Sequence, residues 1–120
     1  MIKSYKDLIV WQKAVSVAVL TYEIIKEFPT VEKFGLASQM QRAAISISSN
    51  IAEGRLRSTR KDFCQFLRIA LGSAGELQSQ IEVARRLSFG DKLDYNNIEL
   101  LLDEVMKMLN VIISKLKADS

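Results

Sequence analysis

The sequence predicts an all-α fold, an antiparallel up-down-up-down four-helix bundle formed by a single domain over residues 1–120. Three observations carry this. Apolar residues recur at spacings of three and four in four successive segments. The chain has one proline and five glycines, too few for the many tight turns of a β fold. The loops between the segments are short, so consecutive helices must pack against each other.

The first helix is expected from about Lys6 to Phe28. Leu8, Trp11, Val15, Ala18, Tyr22 and Ile25 form one apolar stripe, and Val10, Ala14, Val17, Ile24 and Phe28 form a second beside it. Pro29 disfavours helix at Phe28 and ends the pattern. The second helix follows the linker 30–35, with a stripe of Leu36, Met40, Ala43, Ile47, Ile51 and Gly54. Gly54 is read as its C-terminal stop. The third begins at Ser58 or Thr59 as N-cap, places Asp62 in its first turn, and buries Phe63, Leu67, Ala70, Ala74, Leu77, Ile81 and Ala84. Gly90 is expected to end it. The fourth starts at Asp94, runs to about Lys117, and turns Ile98, Leu101, Val105, Leu109, Ile112 and Leu116 inward, with Leu102, Met106 and Ile113 extending the stripe. Residues 118–120 should fray. Helices of about 20–28 residues imply a bundle of roughly 30–40 Å.

Hydrophobic residues make up 48% of the chain and charged residues 26%, the balance of a globular protein. Cys64 is the single cysteine, which excludes an intramolecular disulfide, and it is expected in the core or on a buried flank. Histidine is absent, which removes histidine-activated nucleophiles and histidine metal sites. No cofactor or metal is expected. The opening residues resemble no signal peptide, and no apolar run approaches the roughly 20 residues of a membrane span, so a cytoplasmic protein without membrane contact is expected.

The stretch from Arg42 to Leu77 is rich in small residues, which permit close helix approach. It also carries Arg42, Asn50, Glu53 and Glu76. Antiparallel pairing would set Arg42 opposite Glu76, and would bring Trp11 and Gln12 near Glu53. One reading is a buried structural network that fixes helix register. Removing Glu76 from a dry pair would then cost about 3–5 kcal/mol. Another reading is a pocket of paired carboxylates for acid–base work. With no histidine or metal cluster beside them, the structural reading is preferred and no catalytic residue is assigned.

The net charge of +3 conceals an uneven distribution. Residues 55–92 hold eight Lys/Arg against four Asp/Glu, whereas residues 93–120 hold three against five. Arg55, Arg57, Arg60 and Lys61 crowd into seven residues without an acid. With Arg68, and with Arg85 or Arg86 if assembly brings them together, they form a candidate surface for nucleic-acid phosphates. No base-reading motif accompanies them. A solvated loop on a protein-binding adaptor is the competing reading. The doubled apolar stripes on the first and fourth helices exceed what one bundle needs and suggest contact between subunits.

Several segments together resemble a known family: Tyr5-Lys6-Asp7-Leu8 with Val10-Trp11-Gln12-Lys13-Ala14, Phe28-Pro29, Glu32-Lys33-Phe34-Gly35-Leu36, Gln39-Met40-Gln41-Arg42-Ala43-Ala44, Ser49-Asn50-Ile51-Ala52-Glu53-Gly54, and Ala70-Leu71-Gly72-Ser73-Ala74-Gly75-Glu76-Leu77. In this order they resemble the four-helix-bundle proteins encoded in intervening sequences of bacterial 23S ribosomal RNA genes. The resemblance implies a small bacterial protein, a homopentameric ring and no catalytic residues. The related accessory proteins of diversity-generating retroelements imply a basic surface for nucleic acid. RNA, DNA or a protein are thus the expected partners, besides further copies of the chain.

Overall fold

The structure, a computed structural model, describes residues 4–118. Four helices account for most of them: α1 (Ile9–Ile25), α2 (Leu36–Leu56), α3 (Arg60–Arg86) and α4 (Asn96–Ala118). Single 3-10 turns at Tyr5–Asp7 and Thr30–Glu32 precede α1 and α2. No strand occurs among the described residues. Asp119 and Ser120, where fraying was expected, lie outside them.

Each helix packs on two neighbours in the cyclic order α1–α2–α3–α4, and among the described residues the diagonal backbones stay more than 8 Å apart between Cα atoms. Cross-helix contacts give the directions. Ser46 meets Ser73, and the Gly54 backbone meets Phe63 and Phe66, so α2 and α3 run in opposite senses. Lys13 meets Glu104 near one end of α1, and Leu20 and Ile24 share a cleft with Leu93 and Ile98 at the other. Arg85 meets Glu99, while Arg68 shares a cleft with Leu116. Tyr22 and Ile25 share a cleft with Ala37 and Gln41, and the turn before α1 rests on α2. The bundle extends 47 × 21 × 20 Å, longer than expected; α3, at 27 residues, accounts for about 40 Å of that length.

Helix boundaries follow local chemistry. Leu8 is extended (φ −74°, ψ 123°), so Tyr5–Asp7 forms a separate turn, and Trp11 packs edge-on against Tyr5 at 5.2 Å. Before Pro29, α1 tightens: the Glu27 and Phe28 amides donate to Ile24 and Ile25 carbonyls, and regular helix stops at Ile25. The Glu32 carboxylate caps the Leu36 amide at 3.3 Å. Thr59 caps α3 as expected, its Oγ1 accepting from the Asp62 amide at 3.1 Å. Asp94 Oδ1 accepts from the Asn96 amide at 2.9 Å at the start of α4.

Two glycines act differently from the sequence expectation. Helix α2 continues past Gly54 to Leu56. Gly54 is needed for packing, since a Cβ there would lie 2.7 Å from Phe66 Cβ. Helix α3 ends at Arg86, ahead of Gly90. A Cβ on Gly90 would collide with the Ala84 carbonyl and stand 2.8 Å from the Tyr95 hydroxyl.

The core is built from Val10, Ala14, Val17 and Ile25; Met40, Ala44, Ile47 and Ile51; Leu67, Ala70, Ala74 and Leu77; and Val105, Leu109 and Ile113, among others. Cys64 is buried. On α1 the inward line is Val10, Ala14, Val17, Ala18, Thr21 and Ile25, so Tyr22 is exposed and Val15 half-buried. On α4, Leu102 and Ile113 are core residues, and Leu101, Ile112 and Leu116 sit half-buried at its edge. Helices α1 and α4 therefore each commit one apolar line to the core and leave part of the second at its edge or outside.

Candidate nucleic-acid interface

The short connection between α2 and α3, with Arg57 as C-cap and Thr59 as N-cap, holds the basic residues at one end of the bundle. Arg55 is half-buried, whereas Arg57, Arg60, Lys61 and Arg68 are exposed. The Arg57 guanidinium lies over the Phe66 ring at 4.9 Å, a cation–π contact, and its Nε stands 3.4 Å from the Glu53 carboxylate. Leu56 projects beside them, 71% exposed.

Two clefts open at this end. Arg55, Arg57, Thr59 and Phe63 line the first. Lys61, Cys64, Arg68 and Lys117 line the second, more enclosed one. Arg60 and Leu116 border both. All five basic residues expected at the surface thus come together. Lys117 and Leu116, from the end of α4, were missed as site residues. The up-down-up-down topology was the available signal, because it returns the end of α4 to the α2–α3 turn. Among the described residues, Lys61 and Arg68 meet no carboxylate.

Arg85 and Arg86 belong to the opposite end, some 17 residues beyond Arg68 on α3, about 26 Å away along a helix. Arg86 Nε pairs with Glu82 at 2.9 Å. Arg85 pairs with Glu99 and with Glu82, and covers the Tyr95 ring at 5.2 Å. The hydrogen bond with Glu99 raises the guanidinium pKa further above its ordinary value. These two arginines are paired with acids at the far end of the bundle and do not join the basic surface of the same chain.

The expected network at Arg42, Asn50, Glu53 and Glu76 is corrected. Asn50 is half-buried and donates from Nδ2 to the Ser46 carbonyl at 2.8 Å and to Ser46 Oγ at 2.9 Å. Ser46 Oγ in turn meets Ser73 Oγ at 2.7 Å, so the polar link across α2 and α3 is Asn50–Ser46–Ser73. Glu53 and Glu76 are exposed. Arg42 does face Glu76 across a shallow open cleft, as the register required, but its Nη2 donates to Ser38 Oγ at 3.3 Å and forms no ion pair with Glu76. The reason is angular. Glu53 sits two residues beyond the buried Ile51, about 200° around the helix, which points it outward. Gln12 donates to the Lys6 carbonyl at 2.8 Å and Trp11 packs edge-on against Tyr5.

No group of three or more His, Cys, Asp or Glu among the described residues is placed to hold a metal ion. No helix among them is long and apolar enough to cross a membrane.

The 23S rRNA-intervening sequence protein family matches this sequence over residues 6–111. The chain belongs to that family. A solved protein of similar structure is described as a protein with unknown function from the S23 ribosomal protein family of Bacteroides thetaiotaomicron VPI-5482, determined at 1.70 Å. It is 30% identical, superposes with a TM-score of 0.79, and the match covers 88% of this chain and 98% of that one. No curated protein is significantly similar to the sequence. Neither the family description nor that of the solved S23 member names an enzymatic activity.

Proposed function

We propose that this intervening-sequence protein is a non-enzymatic, ring-forming bundle that binds structured RNA or DNA through phosphates at its α2–α3 end. The observation that carries the reading is the convergence of Arg55, Arg57, Arg60, Lys61 and Arg68 with Lys117 around two adjoining clefts. Arginine meets a phosphate bidentately and stays charged at any physiological pH. Phe66 holds the Arg57 guanidinium in place, which lowers the entropy lost on binding. The Thr59 side chain already takes the Asp62 amide, so side-chain cations, more than the start of α3, supply the contacts.

Assembly is part of the proposal. Ile9, Val19 and Tyr22 on α1, and Leu100 and Val111 on α4, remain exposed after the core is filled. Only Tyr22 among them belongs to the lines read from the sequence; burying all five between copies would remove apolar surface from water, and a closed ring of five would repeat the basic end around one rim, where potentials sum. Light scattering at micromolar concentration should then give several times the chain mass. A monomer would remove the ring.

The binding test is titration of one labelled RNA hairpin at several salt concentrations. Affinity should fall with a slope near −0.9 per neutralised phosphate on duplex DNA, and somewhat less on single strands. The triple variant Arg55→Gln, Arg57→Gln, Arg60→Gln should bind more weakly and flatten the slope by about two to three. Absence of binding by the parent at low salt, or equal binding by the variant, would favour a second reading, a protein-binding adaptor. Val31 and Phe34, 83% and 88% exposed on the α1–α2 connection, are the observation behind that alternative.

A further inference from the structure

We propose that the more enclosed cleft, between the start of α3 and the end of α4, binds a terminal phosphomonoester, the end of a strand rather than the phosphodiesters along it. The proposal rests on the nucleic-acid reading above and names the part of the strand this cleft takes.

Shape is the first argument. The cleft has a volume of about 280 Å³. The neighbouring cleft is of similar volume, about 270 Å³, so what sets this one apart is its enclosure, not its size. An internal phosphodiester has chain on both sides and needs an open trough, which the neighbouring cleft at Arg55 and Arg57 offers. A strand end needs one opening only.

Charge is the second. Arg60, Lys61 and Arg68 from α3 and Lys117 from α4 line the cleft, and no carboxylate among the described residues does. Lys61 and Arg68 meet no acid elsewhere either. An internal phosphodiester carries one negative charge. A phosphomonoester at neutral pH carries about 1.5 to 2, with three oxygens able to accept hydrogen bonds. Guanidinium groups can take two of those oxygens through parallel bonds while an ammonium supplies a point charge to the third. Gln65 adds an amide donor at the rim, and Leu116 with Cys64 gives the terminal sugar an apolar wall. Arg60, common to both clefts, connects the end group to the phosphate that follows it.

The test compares one RNA hairpin, labelled in its loop, in three forms: 5′-phosphate, 3′-phosphate and hydroxyl at both ends. At low salt and pH 7.5 at least one phosphorylated form should bind on the order of tenfold tighter than the hydroxyl form, and the pair of arms tells which end is taken. The preference should shrink below about pH 6, where the phosphomonoester gains a proton. The cleft contributes arginine, lysine and a thiol, and the chain has no histidine to titrate in that range. Arg68→Gln should bring the ratio close to one. Equal binding of all three forms, or a preference indifferent to pH or to Arg68→Gln, overturns the terminal-phosphate site and leaves the nucleic-acid reading standing. Failure of every form to bind overturns both. The pH series uses the parent protein, so it decides even if the variant misfolds.

Discussion

The two ends of the bundle are made from the same kinds of residue and divide them differently between ion pairs and solvent. At the α3–α4 end the two arginines are matched by acids: Arg86 by Glu82, and Arg85 by Glu82 and Glu99, with the Tyr95 ring beneath it. The connection there is closed over itself. Tyr95, 2% exposed, donates its hydroxyl to the Gly90 carbonyl at 2.8 Å, and Phe89 packs edge-on against Phe28 at 5.0 Å. At the α2–α3 end the turn is short and Leu56 stands in solvent; Arg57 pairs with Glu53, but Lys61 and Arg68 meet no carboxylate among the described residues. A paired cation contributes its interaction to the fold. An unmatched one contributes mainly to the field outside, where it is available to a ligand. A net charge of +3 does not reveal this division, because it averages the two ends.

The sharpest way to break the comparison is to open the closed end. Gly90→Ala would drive a methyl group into the Ala84 carbonyl and the Tyr95 hydroxyl. Backbone atoms cannot step aside as a flexible side chain can. The variant should lose about 1–3 kcal/mol or more, read as a shift in the urea midpoint. A variant as stable as the parent would mean that this connection is not packed as described. Gly72→Ala serves as the control, since no atom beyond its own turns of helix lies within 4 Å of a Cβ there. Alanine should stabilise that helix interior by up to about 1 kcal/mol.

Tyr95→Phe tests the same end more gently. Loss of the hydroxyl bond should cost about 0.5–1.5 kcal/mol. Burial pushes the Tyr95 pKa above its ordinary value of 10.0, with Arg85 opposing. The folded state therefore holds its phenolic proton at a pH where the unfolded chain has begun to release it. That stabilisation is fully present below pH 10 and drains away as the pH rises through the raised folded value. Melting curves from pH 8 to 11 should show an alkaline decline in the parent that is smaller in Tyr95→Phe. Parallel curves would refute the link.

A matched pair of arginine variants compares the ends directly. Arg85→Gln removes a partner from two carboxylates and from the Tyr95 ring. Arg68→Gln removes a cation from a cluster of like charges. The first should lower the melting temperature, and the second should leave it unchanged or raise it slightly. Added salt should narrow the gap, because both positions are open to solvent screening. The reverse order would mean that the basic end is the structurally committed one.

Periodicity made the helices legible, and with them the topology, since three short connections leave an antiparallel bundle little alternative. The Thr59 cap was legible for a local reason: a hydroxyl before a polar first turn satisfies an amide whatever the rest of the chain does. Gly54 and Gly90 were misread because glycine has two uses, ending a helix or admitting a neighbour, and only the neighbour distinguishes them. Tyr95 was overlooked because its partner is a carbonyl in a loop, which no pattern announces. Gathering Arg55 to Arg68 required only nearness along the chain. Adding Lys117 required the topology to be carried through to the last helix.

The smallest expected effect concerns Glu76, where sequence and structure part most clearly. A dry Arg42–Glu76 pair would make Glu76→Ala cost about 3–5 kcal/mol, because a buried arginine would lose its counter-charge. The two residues do share one cleft, so the register was right. Register fixes which residues are neighbours along the seam, however, and not whether water reaches them. Both side chains are exposed, and Arg42 already donates to Ser38. Solvent screens whatever attraction remains. Glu76→Ala should therefore change stability by no more than about 0.5 kcal/mol, the usual range for a surface substitution. Asn50→Ala should cost more, since it strips two hydrogen bonds from the half-buried link to Ser46. Paired denaturant titrations of the two variants decide the matter. A multi-kilocalorie loss from Glu76→Ala, observed in dilute monomer, would return the network to the interior. The same loss seen only under associating conditions would place Glu76 at the contact between subunits.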